Sequence, residues 1–356
     1  MKIHNFSAGP AILPAEVIEQ TAQSVANFNG TGLSLMEMSH RGPEIVAIMK
    51  NAVSLTKELL NIPDGYEVLF LTGGASTQFF MTAINLLDKN TKYGLVDTGT
   101  WSSKAYKEIV HFGPCEILAA SKDKNYSYIP KGYDIPADIN YLHLTSNNTI
   151  CGTQMHSWPD TQVPYICDMS SDIFSRPIDV SKYALIYAGA QKNMGPAGTT
   201  MVIVKSDILG KVEREIPTML DYQTHIKKES AFNTPPVLPI YVSMLTLEWV
   251  KKMGGVSAMQ KRNAEKANLL YNEIDRNSLF KGTAELEDRS HMNVTFVMHD
   301  EKHNDAFLKM CTEHNCSGLK GHRSVGGFRA SIYNAMEKDS IQVLVDAMKD
   351  FETQNA

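Results

Sequence analysis

Cysteine is scarce in this chain, with five among 356 residues, an odd number. Cys115 and Cys167 are embedded in apolar runs, so small core residues are expected rather than a disulfide framework. Cys311 and Cys316 have no second pair nearby, and no metal site is expected. Charge of one sign is also lacking. The net charge is −5 with both signs interspersed, and no basic stripe runs along the chain, which argues against nucleic acid as a partner. No apolar run approaches the about 18 residues of a membrane helix. Pro10 and Pro14 break the start of the chain, so no secretory leader is expected there and the reading is a soluble, cytoplasmic protein. No repeat or low-complexity segment is present. What remains is ordinary globular composition, 43% hydrophobic and 21% charged, in a length that suits two domains.

The apolar pattern alternates between strands and helices. Strands are predicted at Tyr66–Leu71, Tyr93–Val96, Cys115–Ala119, Tyr141–Leu144, Val163–Cys167 and Ala184–Ala188. Helices are predicted after Pro14, after Pro43, after Gly73-Gly74 and from about Ser103. This predicts βαβ units and a mainly parallel sheet. Thr199–Val204 returns after a link too short for a crossover helix, which predicts an antiparallel member. Thr218–Pro239 is polar and Pro-rich and reads as a long functional loop. Two long helices follow. The pattern then changes to a smaller α+β unit with a strand at Met292–Met298 and helices at Asn304–Glu313 and Ser340–Thr353. The expected division is an N-terminal arm at 1–14, a large domain at 15–257 and a small C-terminal domain at 258–356.

Several of these strands end in polar residues of different kinds, and in an open α/β sheet such ends converge on one crevice. Lys192 lies in a Gly-, Asn- and Pro-rich turn just past Ala184–Ala188. It is either a solvated turn lysine or an amine that condenses with a carbonyl cofactor. Gly73-Gly74-Ala75-Ser76-Thr77 follows a strand and opens a helix. No lysine follows the glycines, so this is not a Walker loop; it is a plain turn or a phosphate cradle at a helix N-terminus. Trp101 lies in a turn after a strand and packs on either a planar ring or a neighbouring helix. Asp168 ends an apolar strand and either caps a helix starting near Ser170 or pairs with a protonated pyridine nitrogen. The combination of lysine, acid, phosphate cradle and stacking ring is the set that pyridoxal 5'-phosphate chemistry requires.

The strings NFSAGPAILP, SHRGPE, FLTGGASTQF, DTGTWS, CDMSSD, YAGAQKNMGPAG, FNTPP and GHRSVGGFRASIYNA resemble the phosphoserine aminotransferase family, class V of the fold-type-I pyridoxal-phosphate aminotransferases, over nearly the whole chain. The resemblance implies a large domain with a mainly parallel seven-stranded sheet plus a smaller α+β domain. It implies that Lys192 carries the cofactor as a Schiff base, Asp168 pairs with the pyridine nitrogen and Trp101 stacks on the ring. Ala75, Ser76 and Gln191 would meet the cofactor phosphate, and Thr149 the phenolic oxygen. Asn233 and Thr234 would reach the phosphate in a neighbouring subunit, making a homodimer with composite sites. Arg329 would take the substrate carboxylate, and His40, Arg41, His322 and Arg323 a substrate phosphate, with His40 and Arg41 crossing the dimer. The substrates implied are L-glutamate and 3-phosphohydroxypyruvate, with the phosphorylated precursor of hydroxythreonine as a second oxo acid. Ala8 stands where relatives often have Ser, and Ala75-Ser76 where some have Gly-Arg, which removes a donor and a cation. The rival readings are a serine–pyruvate-type aminotransferase of unphosphorylated acids, a cysteine desulfurase using Cys316, and a non-catalytic cofactor-binding regulator.

Overall fold

The computed structural model describes residues 2–355. A short strand, β1 (His4–Asn5), precedes helices α1 (Ala15–Ala26) and α2 (Pro43–Leu59). Pro43 occupies the first turn of α2, where its missing N–H costs nothing, with Glu44 beside it. Ile45, Ile48, Met49, Ala52, Leu55 and Leu59 then fall on one buried stripe. The alternating region follows as β2 (Tyr66–Leu71), α3 (Gly74–Leu86), β3 (Tyr93–Asp97), α4 (Thr100–Ile109), β4 (Cys115–Ala120) and β5 (Tyr141–Thr145). A small hairpin of β6 (Asn147–Asn148) and β7 (Thr153–Gln154) leads to β8 (Tyr165–Asp168), β9 (Tyr183–Gly189) and β10 (Thr200–Lys205).

Seven of these strands form one sheet in the order β2-β10-β9-β8-β5-β3-β4. Only β10 runs against its neighbours, as the short link before it predicts. All seven residues of β9 are buried, because helices cover both faces of the sheet and leave no face to alternate with polar side chains. One apolar cluster packs α1, α2 and their neighbours against one face, and another packs α3 and α4 against the other.

Helices α5 (Tyr222–Lys227), α6 (Val237–Lys252) and α7 (Gly255–Arg276) follow. A second sheet, in the order β11-β12-β14, is built from β11 (Phe280–Gly282), β12 (Asn293–Met298) and β14 (Phe328–Ser331), with α8 (Asn304–Glu313), β13 (Cys316–Ser317) and α9 (Lys338–Asn355) around it. Its apolar cluster takes in Phe6 from the N-terminal arm. Along α7, Val256 and Met259 belong to a cluster of the large sheet, while Ala267, Leu270 and Ile274 belong to that of the small one.

Three local readings change. Trp101 sits in the first turn of α4, which starts at Thr100 rather than near Ser103. The Ser102 hydroxyl turns back to accept the Thr98 and Gly99 N–H groups at 2.9 and 3.0 Å and so closes the turn early. The polar stretch at 218–239 is not all loop: Asp221 accepts from the Gln223 and Thr224 N–H groups and starts α5. The Gly- and Arg-rich stretch near 320 ends in β14, which pairs with β12. All five cysteines are free.

Candidate active site

The C-terminal ends of β2, β3, β5, β8 and β9 carry the polar residues singled out in the sequence. The chain moves outward from β3 to β4, then back across to β5, β8 and β9, so a switch point falls between β3 and β5. Loops leaving the sheet on either side of such a point diverge and leave a crevice.

Lys192 leaves the turn after β9, and its amine donates to the Thr149 hydroxyl at 2.6 Å. The same nitrogen is 5.4 Å from the centre of the Trp101 indole. The turn is held from three sides. Ala11 of the N-terminal arm donates its N–H to the Gln191 carbonyl at 2.9 Å. The Ser170 hydroxyl accepts the Gly189 N–H at 3.1 Å. Asn193 donates to the Ile173 carbonyl at 3.0 Å and accepts the Asn334 N–H at 3.0 Å. Gly195 is required here, since a Cβ would collide with the Ser243 hydroxyl on α6.

Asp168 is the last residue of β8, in register with Thr145 on β5 and Tyr187 on β9. Its Oδ1 accepts the Ser170 N–H at 2.9 Å. No helix follows, so the cap is a local turn, and among the described residues no ion pair includes Asp168. Burial raises the Asp168 carboxyl above the ordinary carboxylate range, while the bond to Ser170 and the charge of Lys192 pull it back. Burial pushes the Lys192 amine down to about 8; Asp168 opposes that shift and Arg329 adds to it.

Trp101 is fixed by a buried network beneath α4. Ser102 and Ser103 donate to Asp97 Oδ1 at 2.7 and 2.8 Å, and the Tyr126 hydroxyl donates to Asp97 Oδ2 at 3.2 Å. Ala75 and Ser76 lie in the first turn of α3, where free backbone N–H groups and the helix dipole favour an anion. Gly73 enters this helix at φ +95° with Thr77 packed where a Cβ would be.

Arg329 comes from β14 of the small sheet and crosses to the Thr149 carbonyl, with Nη1 donating at 3.3 Å. Its Nε is buried without a partner, as are Trp101 Nε1 and Thr145 Oγ1. Of these, Trp101 and Arg329 belong to side chains that act on the Lys192 amine. His322 and Arg323 lie on the loop before β14. His322 bonds to the Ser324 hydroxyl at 2.7 Å, and Arg323 is exposed. Burial lowers the His322 pKa, and so do Arg329, Arg323 and Lys104 in that order.

The chain thus brings together Lys192, Gln191, Thr149, Trp101, Asp168 and Arg329. Four expected site residues lie on other segments. His40 lines a cavity of about 390 Å³ with Met49, Val53, Lys57 and Ile226, and Arg41 beside it is exposed. Asn233 lines a cavity of about 180 Å³ with Gly73 and Thr77, and Thr234 is exposed. No hydrogen bond or ion pair among the described residues links these four to Lys192, Asp168 or Trp101. Lys104 is a residue the sequence reading missed. Its amine lies 4.8 Å from the centre of the Trp101 ring, one helical turn on, and the i, i+3 spacing would have revealed it had α4 been started at Thr100.

Comparison with known proteins identifies the family. Residues 3–344 match the aminotransferase class-V family. The chain is similar to phosphoserine aminotransferase of Flavobacterium psychrophilum, with 60% identity over 99% of each chain. Its fold superposes on the structure of phosphoserine aminotransferase from Bacillus circulans subsp. alkalophilus with a TM-score of 0.97 and 44% identity, covering 100% of this chain and 99% of that one. It also superposes on the pyridoxal-phosphate-bound phosphoserine aminotransferase of Trichomonas vaginalis with a TM-score of 0.93 and 36% identity, covering 98% and 100%.

Proposed function

The chain belongs to the class-V aminotransferase family, and from that premise we propose that it moves an amino group from L-glutamate to 3-phosphohydroxypyruvate, giving 2-oxoglutarate and O-phospho-L-serine. The chain is a pyridoxal-phosphate-dependent aminotransferase with the activity of phosphoserine aminotransferases. The observation that carries the residue assignment is the meeting of an amine held near neutrality, a buried carboxylate, an indole and a guanidinium from four separate segments.

The residues suit the cofactor. Asp168 offers a buried acid to a pyridine nitrogen, Trp101 a flat face to the ring, the first turn of α3 an anion site to the phosphate, and Lys192 an amine to the aldehyde. When bound, pyridoxal phosphate supplies an aldehyde carbon that carries the amino group and a ring that accepts the electron pair of the substrate Cα–H bond. Lys192 Nζ, neutral at mildly alkaline pH, takes the proton from the substrate Cα and returns it on the other side of the exchange. Thr149 holds that amine in place, and Gln191 and Thr149 complete the polar wall. Arg329 grips the substrate α-carboxylate with the forked geometry only arginine provides.

Substrate choice in this reading belongs to the His-Arg pairs. His322 and Arg323 come from the same chain, while His40, Arg41, Asn233 and Thr234 act on the site of a second copy in a homodimer. The exposed apolar side chains near them support this: Leu33 and Met36 before His40, and Met219 and Phe232 before Asn233. The same cations suit 3-hydroxy-2-oxo-4-phosphooxybutanoate, which would give 4-phosphohydroxy-L-threonine for pyridoxine synthesis. We read the working unit as cytoplasmic, with an arm at 1–14, a cofactor-binding domain at 15–257 and a small domain at 258–356. A glutamate-coupled assay comparing phosphohydroxypyruvate with hydroxypyruvate tests the assignment. A strong preference for the phosphorylated acid is expected; equal turnover would point instead to unphosphorylated substrates and a serine–pyruvate type of activity.

A further inference from the structure

Lys266, on α7, is fully buried although lysine is among the residues least often found inside a protein. Among the described residues no ion pair includes it. Its amine instead donates to two backbone carbonyls, Ile332 at 2.9 Å and Tyr333 at 2.6 Å. A neutral amine has two N–H groups, and the site supplies two acceptors. Burial, with the charge of Arg262 added, drives the Lys266 pKa well below its ordinary value.

The two carbonyls belong to the two residues that follow Ser331, the last residue of β14, which carries Arg329. One turn earlier on the same face of α7, Asn263 donates to Asn334 Oδ1 at 2.7 Å and to the Ser175 carbonyl at 3.3 Å. Asn334 in turn donates its N–H to Asn193, the residue after Lys192, and its side chain to the Phe174 carbonyl at 3.0 Å. The Tyr333 hydroxyl donates to the Ala8 carbonyl of the arm at 2.7 Å. One face of α7 therefore holds the strand carrying Arg329, the turn carrying Lys192 and the loop following Asp168.

We propose that Lys266 is a positioning residue for the substrate carboxylate: by tying the Ile332 and Tyr333 carbonyls to α7, it fixes how far Arg329 stands from Lys192. A surface lysine would do nothing of this kind. A buried apolar side chain of similar length would fill the space but leave the Ile332 carbonyl unpaired and the Tyr333 carbonyl with only the Met336 N–H at 2.9 Å, and the segment would shift to find another donor. The guanidinium would move with it, and displacements of about 1 Å at a binding fork are enough to degrade affinity.

The inference rests on the proposed carboxylate role of Arg329, and its test separates the two. Lys266→Met keeps the length and the apolar stem and removes the donors. In the loaded enzyme, the KM for L-glutamate should rise about tenfold while kcat stays within about threefold. The Kd of glutarate, a dicarboxylate with no amino group to transfer, should rise by the same factor, read from its effect on the visible absorption of the enzyme. Lys266→Gln, which restores two N–H donors without charge, should recover most of both. An unchanged KM and glutarate Kd in a folded K266M overturns the proposal. So does a parallel loss of kcat and KM that K266Q fails to rescue, because that marks a role in folding alone. Arg329→Lys is the control: if it leaves glutarate binding intact, the carboxylate assignment fails first. Should K266M not fold, Asn263→Ala cuts the same array one turn away, and the same KM and Kd criteria decide.

Discussion

The Lys192 amine and the Thr149 hydroxyl are 2.6 Å apart, so the residue that would carry the cofactor is positioned by the turn between β6 and β7 as well as by its own turn. Burial in this setting brings the amine down to about 8. Only the neutral amine attacks a carbonyl, and the neutral form dominates above the pKa. Capture of pyridoxal phosphate by the apo-enzyme should therefore speed up as pH rises and level off above a midpoint near 8, well below that of an ordinary lysine. Arg329 pushes the amine down, so Arg329→Gln should move the midpoint upward. Asp168 pulls it up, so Asp168→Asn should move it downward. Stopped-flow absorbance across pH checks all three. A midpoint in the ordinary lysine range would show that Lys192 is solvated.

In the proposed site, Gly73 couples the fold to phosphate binding. It stands at φ +95°, a region that side chains rarely adopt, and Thr77 occupies the place of its missing Cβ. Gly73→Ala should cost about 1–3 kcal/mol of stability in urea unfolding of the apo-enzyme and weaken cofactor binding, because the first turn of α3 must tilt. Adding Thr77→Ala removes the closest clash, with Oγ1, but keeps the Thr77 Cβ 2.7 Å from the new Cβ and leaves the backbone strain, so it should restore only part of the loss. Full recovery in the double variant would show that strain at Gly73 contributes little.

The large sheet was legible because its strands are covered on both faces. Continuous apolar runs such as Tyr183–Gly189 mark themselves, and the polar residue after each run marks the crevice. Asp168 and Lys192 stood out for that reason. The short strands of the small sheet did not. Phe280–Gly282 and Phe328–Ser331 carry Lys281 and Arg329 between apolar residues, a pattern shared with loops, and pairing with β12 decides it. The start of α4 was hidden because the closing hydroxyl belongs to Ser102, inside the helix, and not to the residue before it. The burial of Lys266 was unreadable, since its acceptors lie in a strand end far along the chain. Helical spacing says which face a residue occupies but not which distant segment covers it.

Asp168→Asn isolates charge from shape. The carboxamide oxygen can still accept the Ser170 N–H that Asp168 accepts at 2.9 Å, so the link onward from Ser170 to Gly189 should survive. What is lost is the buried negative charge that the proposed site offers to the cofactor ring. The glutamate half-reaction, followed in a single turnover, should slow by about 10²–10³-fold with little change in melting temperature. If the rate holds while Asn stands at this position, Asp168 serves only to close its turn.

The proposed composite site makes a prediction that neither a monomer nor a self-contained dimer shares. His40, Arg41, Asn233 and Thr234 have no hydrogen bond or ion pair to the Lys192 cluster of their own chain among the described residues, and Arg41 is exposed. Lys192→Ala and Arg41→Ala homodimers should each be weak or inactive with phosphohydroxypyruvate. In a hybrid of the two, one site combines an intact Lys192 from one copy with an intact Arg41 from the other. Equal amounts, exchanged to equilibrium, place half of the dimers in the hybrid state with one working site each, so about a quarter of wild-type activity should return. The same recovery is expected when Asn233→Ala replaces Arg41→Ala, read as cofactor retention as well as rate. If subunit exchange is confirmed by mass and no activity returns, each chain completes its own site, and the cross-subunit roles of Arg41 and Asn233 are wrong.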